Sequence, residues 1–416
     1  MPLAILTWCI TAAATAGVIL RPWKISEWIW ALGGAVLLVA LGLVPLPAAL
    51  GAVAKGDDVY LFLTGMMLLA ELARREGLFD WLAILAARQA KGSGQRLFDL
   101  VYVVGILVTV FLSNDATAVV LTPAVYAAAR AAKAEPLPYL LICAFIANAA
   151  SFVLPISNPA NLVIFGRHMP PLLEWLAHFG LPSLAAIGLT YLVLRLTQRK
   201  ALRQPLGDVG ELPTLSVGAR LTAAGIAFTA VTLLIVSGFG GSLGWPTGLA
   251  GLATVLVVHA VKRRSPVPVL KGVSWGVLPL VAGLFVLVEA LNLTGVVGVL
   301  ARALEQWAHT APEQALWGTG VLVAIACNLV NNLPAGLIAG SVGQLATLPV
   351  ETTRALVIAV DLGPNLSITG SLATVLWLIA VRREGEHIGA WRFLKLGALV
   401  MPPALLGALA MLHLVG

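Results

Sequence analysis

Charge is what this chain lacks. Asp, Glu, Lys and Arg together make up 11% of its 416 residues, against about 25% in a soluble globular domain. A chain with so few charges could not cover its own surface in water, which excludes a soluble enzyme, a nucleic-acid binder and a disordered scaffold. Cysteine is scarce too. Cys9, Cys143 and Cys327 are odd in number, far apart and set in apolar runs, so they imply neither a disulfide framework nor a metal cluster. Walker A and zinc-ligand spacings are absent, so no cofactor is expected and any ATP hydrolysis would belong to a partner. The six histidines fall near segment ends with no repeated spacing.

What is abundant is apolar sequence: 59% hydrophobic residues and a mean hydropathy of +0.95. A spanning helix needs roughly 20 mostly apolar residues. Crossings are predicted near 3–20, 27–45, 59–73, 137–166, 181–198, 218–238, 247–261, 273–291, 351–381 and 389–415. The stretches 97–130 and 313–348 are apolar but interrupted near their middles. The first segment has no basic leader and no small-residue cleavage site, so it reads as a retained helix. Basic residues set the sidedness. If the interrupted stretches are re-entrant hairpins and both termini lie outside, only Lys55, Arg167, Arg302 and Arg354 face outward, leaving 22 of the 26 Lys and Arg inside. The expected fold is therefore an all-α integral membrane protein with about ten transmembrane helices and two hairpins.

The halves match at one offset. Gly65, Glu71, Gly77 and Asn114 recur 218 residues later as Gly283, Glu289, Gly295 and Asn332. Five crossings per half would turn the second copy upside down, the inverted repeat typical of secondary transporters. The domains then read as 1–197 (first repeat, hairpin 97–130, broken helix 137–166), a cytoplasmic linker 198–217, and 218–416 (second repeat, hairpin 313–348, broken helix 351–381). Glu71 and Glu289, near helix ends, suit a shared structural role.

Each half also carries two polar clusters deep in apolar sequence. They are Ser113-Asn114-Asp115-Ala116-Thr117, Pro155 to Asn161, Asn328 to Pro334, and Asp361 to Ser371. Irregular backbone at membrane depth is tolerated only where protein or a water-filled cavity satisfies it. Asn, Ser and Thr can both donate and accept there. The plainer reading is kinks held by interhelical polar contacts, but four clusters in two related pairs favour a binding centre. Candidate substrate-binding residues are Ser113, Asn114, Thr117, Ser157, Asn158, Asn161, Asn331, Asn332, Thr369 and Ser371. Asp115 and Asp361 are candidate proton carriers, since a mid-membrane acid is a functional hypothesis by default. Asp361 could instead cap its helix. No metal site is expected.

These stretches resemble the arsenite permease (ArsB) branch of the ion transporter superfamily, which also holds sodium/proton antiporters and dicarboxylate carriers. The resemblance rests on Ser113-Asn114-Asp115 with Leu121-Thr122-Pro123, Ser157-Asn158-Pro159-Ala160-Asn161, Asn331-Asn332-Leu333-Pro334-Ala335-Gly336-Leu337, and Asp361-Leu362-Gly363-Pro364 with Thr369-Gly370-Ser371-Leu372. It covers nearly the whole chain. It implies efflux of arsenite and antimonite, with protons as the coupling ion, by a scaffold bundle flanking a mobile transport domain. Sodium/proton antiport is the alternative. A membrane enzyme or receptor would need a nucleophile–base constellation or a sizeable soluble domain, and neither is evident. Cys143 and Cys327 could tempt a thiophilic cargo, but a three-sulfur site would trap it, and packing is the better reading. The implied location is the cytoplasmic membrane of a bacterium or archaeon, with membrane lipid all round. Nucleic acid is excluded as a partner. A cytoplasmic arsenite-stimulated ATPase subunit could dock on the 198–217 linker, and two copies could pair as a homodimer.

Overall fold

The computed structural model describes residues 2–166, 169–207 and 210–415. Arg167, Asp208 and Gly416, which entered the sidedness and linker readings, lie outside the described residues. The first half runs α1 (Pro2–Leu20), α2 (Glu27–Ala40), α3 (Leu46–Ala54), α4 (Asp57–Arg75), α5 (Leu78–Gln89), α6 (Gly94–Phe111), α7 (Asn114–Ala116), α8 (Thr122–Ala131), α9 (Leu137–Ala149), α10 (Pro159–Phe165) and α11 (Leu172–Gln198). The second runs α12 (Val217–Gly238), α13 (Gly244–Lys262), α14 (Val267–Gly272), α15 (Val277–Leu293), α16 (Val296–Thr310), α17 (Pro312–Val330), α18 (Asn332–Leu345), α19 (Val350–Leu362), α20 (Leu372–Arg383) and α21 (Ala390–Val415). Among the described residues there is no β-strand.

Among the described residues, seven helices are singly long and apolar enough to cross a bilayer: α1, α6, α11, α12, α13, α17 and α21. The other apolar segments depart from simple crossings for local reasons. Residues 27–45 end as helix at Ala40, and the chain enters α3 through extended Pro45. Residues 137–166 and 351–381 are each two α-helical limbs around a break that includes short 3₁₀ turns. The 13 residues of α9 rise only about 20 Å at about 1.5 Å per residue, so neither limb spans alone. The crossing expected at 181–198 begins at Leu172, because Pro182 sits inside α11 rather than at its start. Proline is tolerated there because neighbouring helices re-satisfy the freed backbone.

Gly77 and Gly295 end their helices in the left-handed region, at φ 75° and 83°, a conformation glycine adopts without steric penalty. Each turns the chain into a short helix, α5 or α16, and the second bend measures 75°. Packing is reciprocal between the halves. α4 lies along α13, and α15 along α2. A Cβ on Gly65 would sit 2.2 Å from the Thr247 carbonyl oxygen, and one on Gly283 would sit 2.6 Å from the Ala31 carbonyl carbon. Small residues let membrane helices approach backbone to backbone.

The same exchange holds for the interrupted segments. α18 packs on α10, while α20 packs on α8 and the turn before it. Every residue of α9 is buried, as are Ala355 to Leu362 of α19. Large apolar side chains stand exposed on α1, α11, α12, α13 and α21, and Phe239, just past the end of α12, reaches 88%. The lipid-facing helices are thus outermost and the broken ones central, where polar backbone can find partners.

Candidate functional site

At the polar break after α6, extended Ser113 caps α7 by accepting from the Ala116 amide at 3.1 Å. Asn114 Oδ1 accepts from the Asp115 amide at 2.9 Å. Pro123 has no amide hydrogen to continue an α-helical ladder, and residues Thr117–Leu121 widen into a π-turn, a deviation frequent at functional sites. Thr117 and Thr109 share a hydroxyl–hydroxyl bond of 2.8 Å. The half-buried Asp115 carboxylate and the Asn114 Nδ2 have no hydrogen bond among the described residues.

In the first broken helix, Asn158 does two things at once. Its Oδ1 caps α10 through the Ala160 amide at 3.0 Å, and its Nδ2 donates to Asp361 Oδ1 at 2.6 Å. Ser157 donates to the Val110 carbonyl at 3.1 Å, tying the break to the hairpin. Asn161 Nδ2 reaches the Ser151 carbonyl at 3.0 Å.

The second half mirrors this. Asn331, at φ 73°, caps α18 through the Leu333 amide at 3.3 Å and donates to the Thr369 carbonyl at 3.2 Å. Ser371 caps α20 through the Thr374 amide at 3.1 Å. Asn332 is buried, and its side-chain amide has no hydrogen bond among the described residues. Asn158 and Ser371 both cap helices after a break and stand 213 residues apart, whereas Asn114 and Asn332 stand 218 apart.

The fold brings Asp361 to Asn158, and Asn331 to Thr369. No hydrogen bond joins Asp115 to Asp361 among the described residues. Five polar residues that the sequence did not mark as sites complete the networks: Asn148, Asn328, Asn365, Ser367 and Thr374. Asn148 donates to Asn365 Oδ1 at 3.0 Å and to Thr374 at 3.3 Å. Asn328 accepts from Ser367 at 2.7 Å and donates to the Gly363 carbonyl at 2.9 Å. Asn148 is the equivalent of Asp361 at the 213 offset, and this spacing is the signal that could have found it.

Several buried oxygens keep no partner: Asn148 Oδ1, Asn161 Oδ1 and Asp361 Oδ2. The breaks themselves hold no Lys or Arg. Arg354, read as an outward-facing residue, is buried to 9% exposure and lies 3.8 Å from Glu174. Glu71 ion-pairs with Arg74 and Arg75, each at 2.6 Å, and Glu289 with Lys55 at 3.1 Å. Cys143 and Cys327 are fully buried on separate helices and make long contacts to the Tyr139 and Ala359 carbonyls. Exchanging both for serine is expected to leave most cargo resistance intact when growth is scored at matched expression. Complete loss would restore a thiolate site.

Residues 9–363 match the family described as citrate transporter. The chain belongs to the citrate transporter family. It is similar to the arsenical pump membrane protein of Escherichia coli, 28% identical over 397 residues and covering 92% of each chain. The Yersinia enterocolitica protein of the same name is 29% identical over 362 residues, 84% of each. The likeness to arsenical pumps read from the polar breaks is therefore met across the chain's length. Two solved transporters share the fold. They are YdaH of Alcanivorax borkumensis (TM-score 0.56, 17% identity, covering 97% of this chain and 98% of that one) and MtrF of Neisseria gonorrhoeae (TM-score 0.54, 12% identity, 99% and 94%). This family member is an all-helical, multi-pass secondary transporter.

Proposed function

We propose that this transporter extrudes arsenite and antimonite, as uncharged trivalent hydroxides, in exchange for protons. The observation that carries the reading is the chemistry of the breaks. Unbonded amide and carboxylate groups at Asn114, Asp115 and Asn332 are joined by orphan oxygens at Asn148, Asn161 and Asp361, with no cation among them. A small triol seeks hydroxyl and amide partners of this kind. A polycarboxylate would call for arginine forks, because bidentate guanidinium pairing is how such anions are held. The arsenical pumps among the relatives agree with this cargo.

An uncharged cargo gains nothing from the membrane potential, which acts at about 2.3 kcal/mol per elementary charge per 100 mV. A coupling ion must supply the force, and Asp115 and Asp361 are the acids within the breaks. Sodium/proton antiport is the competing reading, drawn from the same orphan oxygens, which a cation could take. Everted vesicles decide between them. Imposing a proton gradient should drive accumulation of arsenite and of antimonite, and growth of a pump-deficient host should be rescued in arsenite. Rescue only in high sodium would overturn the metalloid reading.

The two halves are proposed to be inverted repeats with both termini outside. A reporter active only outside the cytoplasm should then work when fused after Val415 and fail when fused after Arg203. The opposite pattern would remove the hairpin assignment.

A further inference from the structure

We propose that the protein carries a binding site for one anionic phospholipid at the edge formed by α5, α6 and α11. Lys91 and Arg96 would hold the headgroup phosphate, and an acyl chain would lie along one stripe of α6. An open cavity of about 530 Å³ is lined by Gln89, Lys91, Arg96, Asp99 and Leu100. Its carboxylate is already engaged: Asp99 ion-pairs with Arg195 of α11 and accepts from the Tyr191 hydroxyl at 2.8 Å. Lys91 and Arg96 are exposed and have no ion pair among the described residues, so the cavity keeps a surplus of positive charge.

The backbone adds to that charge. Lys91 is held in the left-handed region at φ 49°, leading through Gly92 to Ser93. Ser93 caps α6 by accepting from the Arg96 amide at 3.3 Å. The first-turn amides of a helix have no acceptors inside it, and its dipole favours a nearby anion.

The apolar continuation selects a lipid rather than a soluble anion. Arg96, Leu100, Val103, Leu107 and Phe111 follow three- and four-residue spacing, which places them on one helix face. Val103, Leu107 and Phe111 stand 50%, 49% and 38% exposed. From Arg96 to Phe111 the helix rises about 22 Å, more than the roughly 15 Å of hydrocarbon in one leaflet. A chain anchored at Arg96 would stay against α6 for its whole length. On α11, Leu192 and Leu196 are exposed on either side of Arg195. A zwitterionic headgroup would bring its own cation beside Lys91 and Arg96 and gain less.

The site is independent of the cargo and coupling proposed above. Its test is native mass spectrometry of the delipidated full chain titrated with phosphatidylglycerol, phosphatidylcholine or inorganic phosphate. Phosphatidylglycerol should bind more tightly than phosphatidylcholine by about tenfold or more, and millimolar phosphate should not displace it. Lys91→Gln with Arg96→Gln should weaken phosphatidylglycerol about 25-fold, at about fivefold per cation near the surface. Arg382→Gln with Arg383→Gln, elsewhere on the chain, should not weaken it. All four positions are charged helix-end or turn residues, and unfolding temperatures in detergent should stay at the wild-type value. Equal binding of the two lipids, or undiminished binding by the Lys91/Arg96 variant, overturns the site. Displacement by inorganic phosphate overturns the lipid assignment.

Discussion

Replacing Asp361 by asparagine should reduce proton-driven arsenite accumulation in everted vesicles to the level of vesicles without the protein, at normal expression. Asp361 is wholly buried, receives one bond from Asn158 Nδ2 at 2.6 Å, and leaves Oδ2 without a partner. Burying an ionised carboxylate is costly unless it is well paired. A single donor is incomplete pairing for a group with two oxygens. Under the exchange proposed here, taking up and releasing a proton would make and break the hold on Asn158, which also caps α10. Asparagine keeps the shape and removes the titration. The other half shows that asparagine fits such a place, because Asn148 occupies the equivalent position, fully buried, bonded to Asn365 and Thr374. Loss of transport would therefore reflect the missing proton rather than misfolding. Asp115→Asn, at the other candidate proton carrier, should also lose gradient-driven accumulation while allowing slow downhill exchange. Wild-type accumulation in the Asp361 variant would leave Asp115 as the carrier. Wild-type accumulation in both would sink proton coupling through these breaks.

A second large effect is expected from two methyl groups placed where helices of the two halves cross. Gly65→Ala combined with Gly283→Ala should leave little monodisperse protein after detergent extraction. Each new Cβ would fall on the backbone of the facing helix, at Thr247 or Ala31. Backbone cannot move aside as a side-chain tip can, so α4 must part from α13 and α15 from α2. Overpacking typically costs about 1–3 kcal/mol per site, and these two contacts join one half of the chain to the other. Gly188→Ala is the control, since nothing lies within 4 Å of its added carbon. Equal extraction yields and unfolding temperatures for the double variant and the control would refute the close-packing account.

Composition made lipid the solvent of this chain, because too few charges exist to cover it with water. The breaks were legible for a similar reason: Asn, Ser, Pro and Asp inside apolar runs must be satisfied within the protein. Gly77 and Gly295 could be paired from sequence by their common offset, and both prove to be left-handed turns. The short helices α3, α5, α14 and α16 were not legible. They are too short to register as crossings, and α5 and α16 carry charges such as Asp80, Arg88, Arg302 and Glu305. Asn148 stayed hidden because it stands 213 residues before Asp361, while the pairs noticed in the sequence, such as Asn114 and Asn332, stand 218 apart.

The pairing of the polar ends was decided only by the tertiary structure. Asn158 and Asp361 stand 203 residues apart, and Asn148 and Asn365 stand 217 apart. No periodicity in either half announces those bonds. They form because each break frees more donors and acceptors than its own segment can satisfy, and in a lipid-covered interior the remaining partners are the other half's.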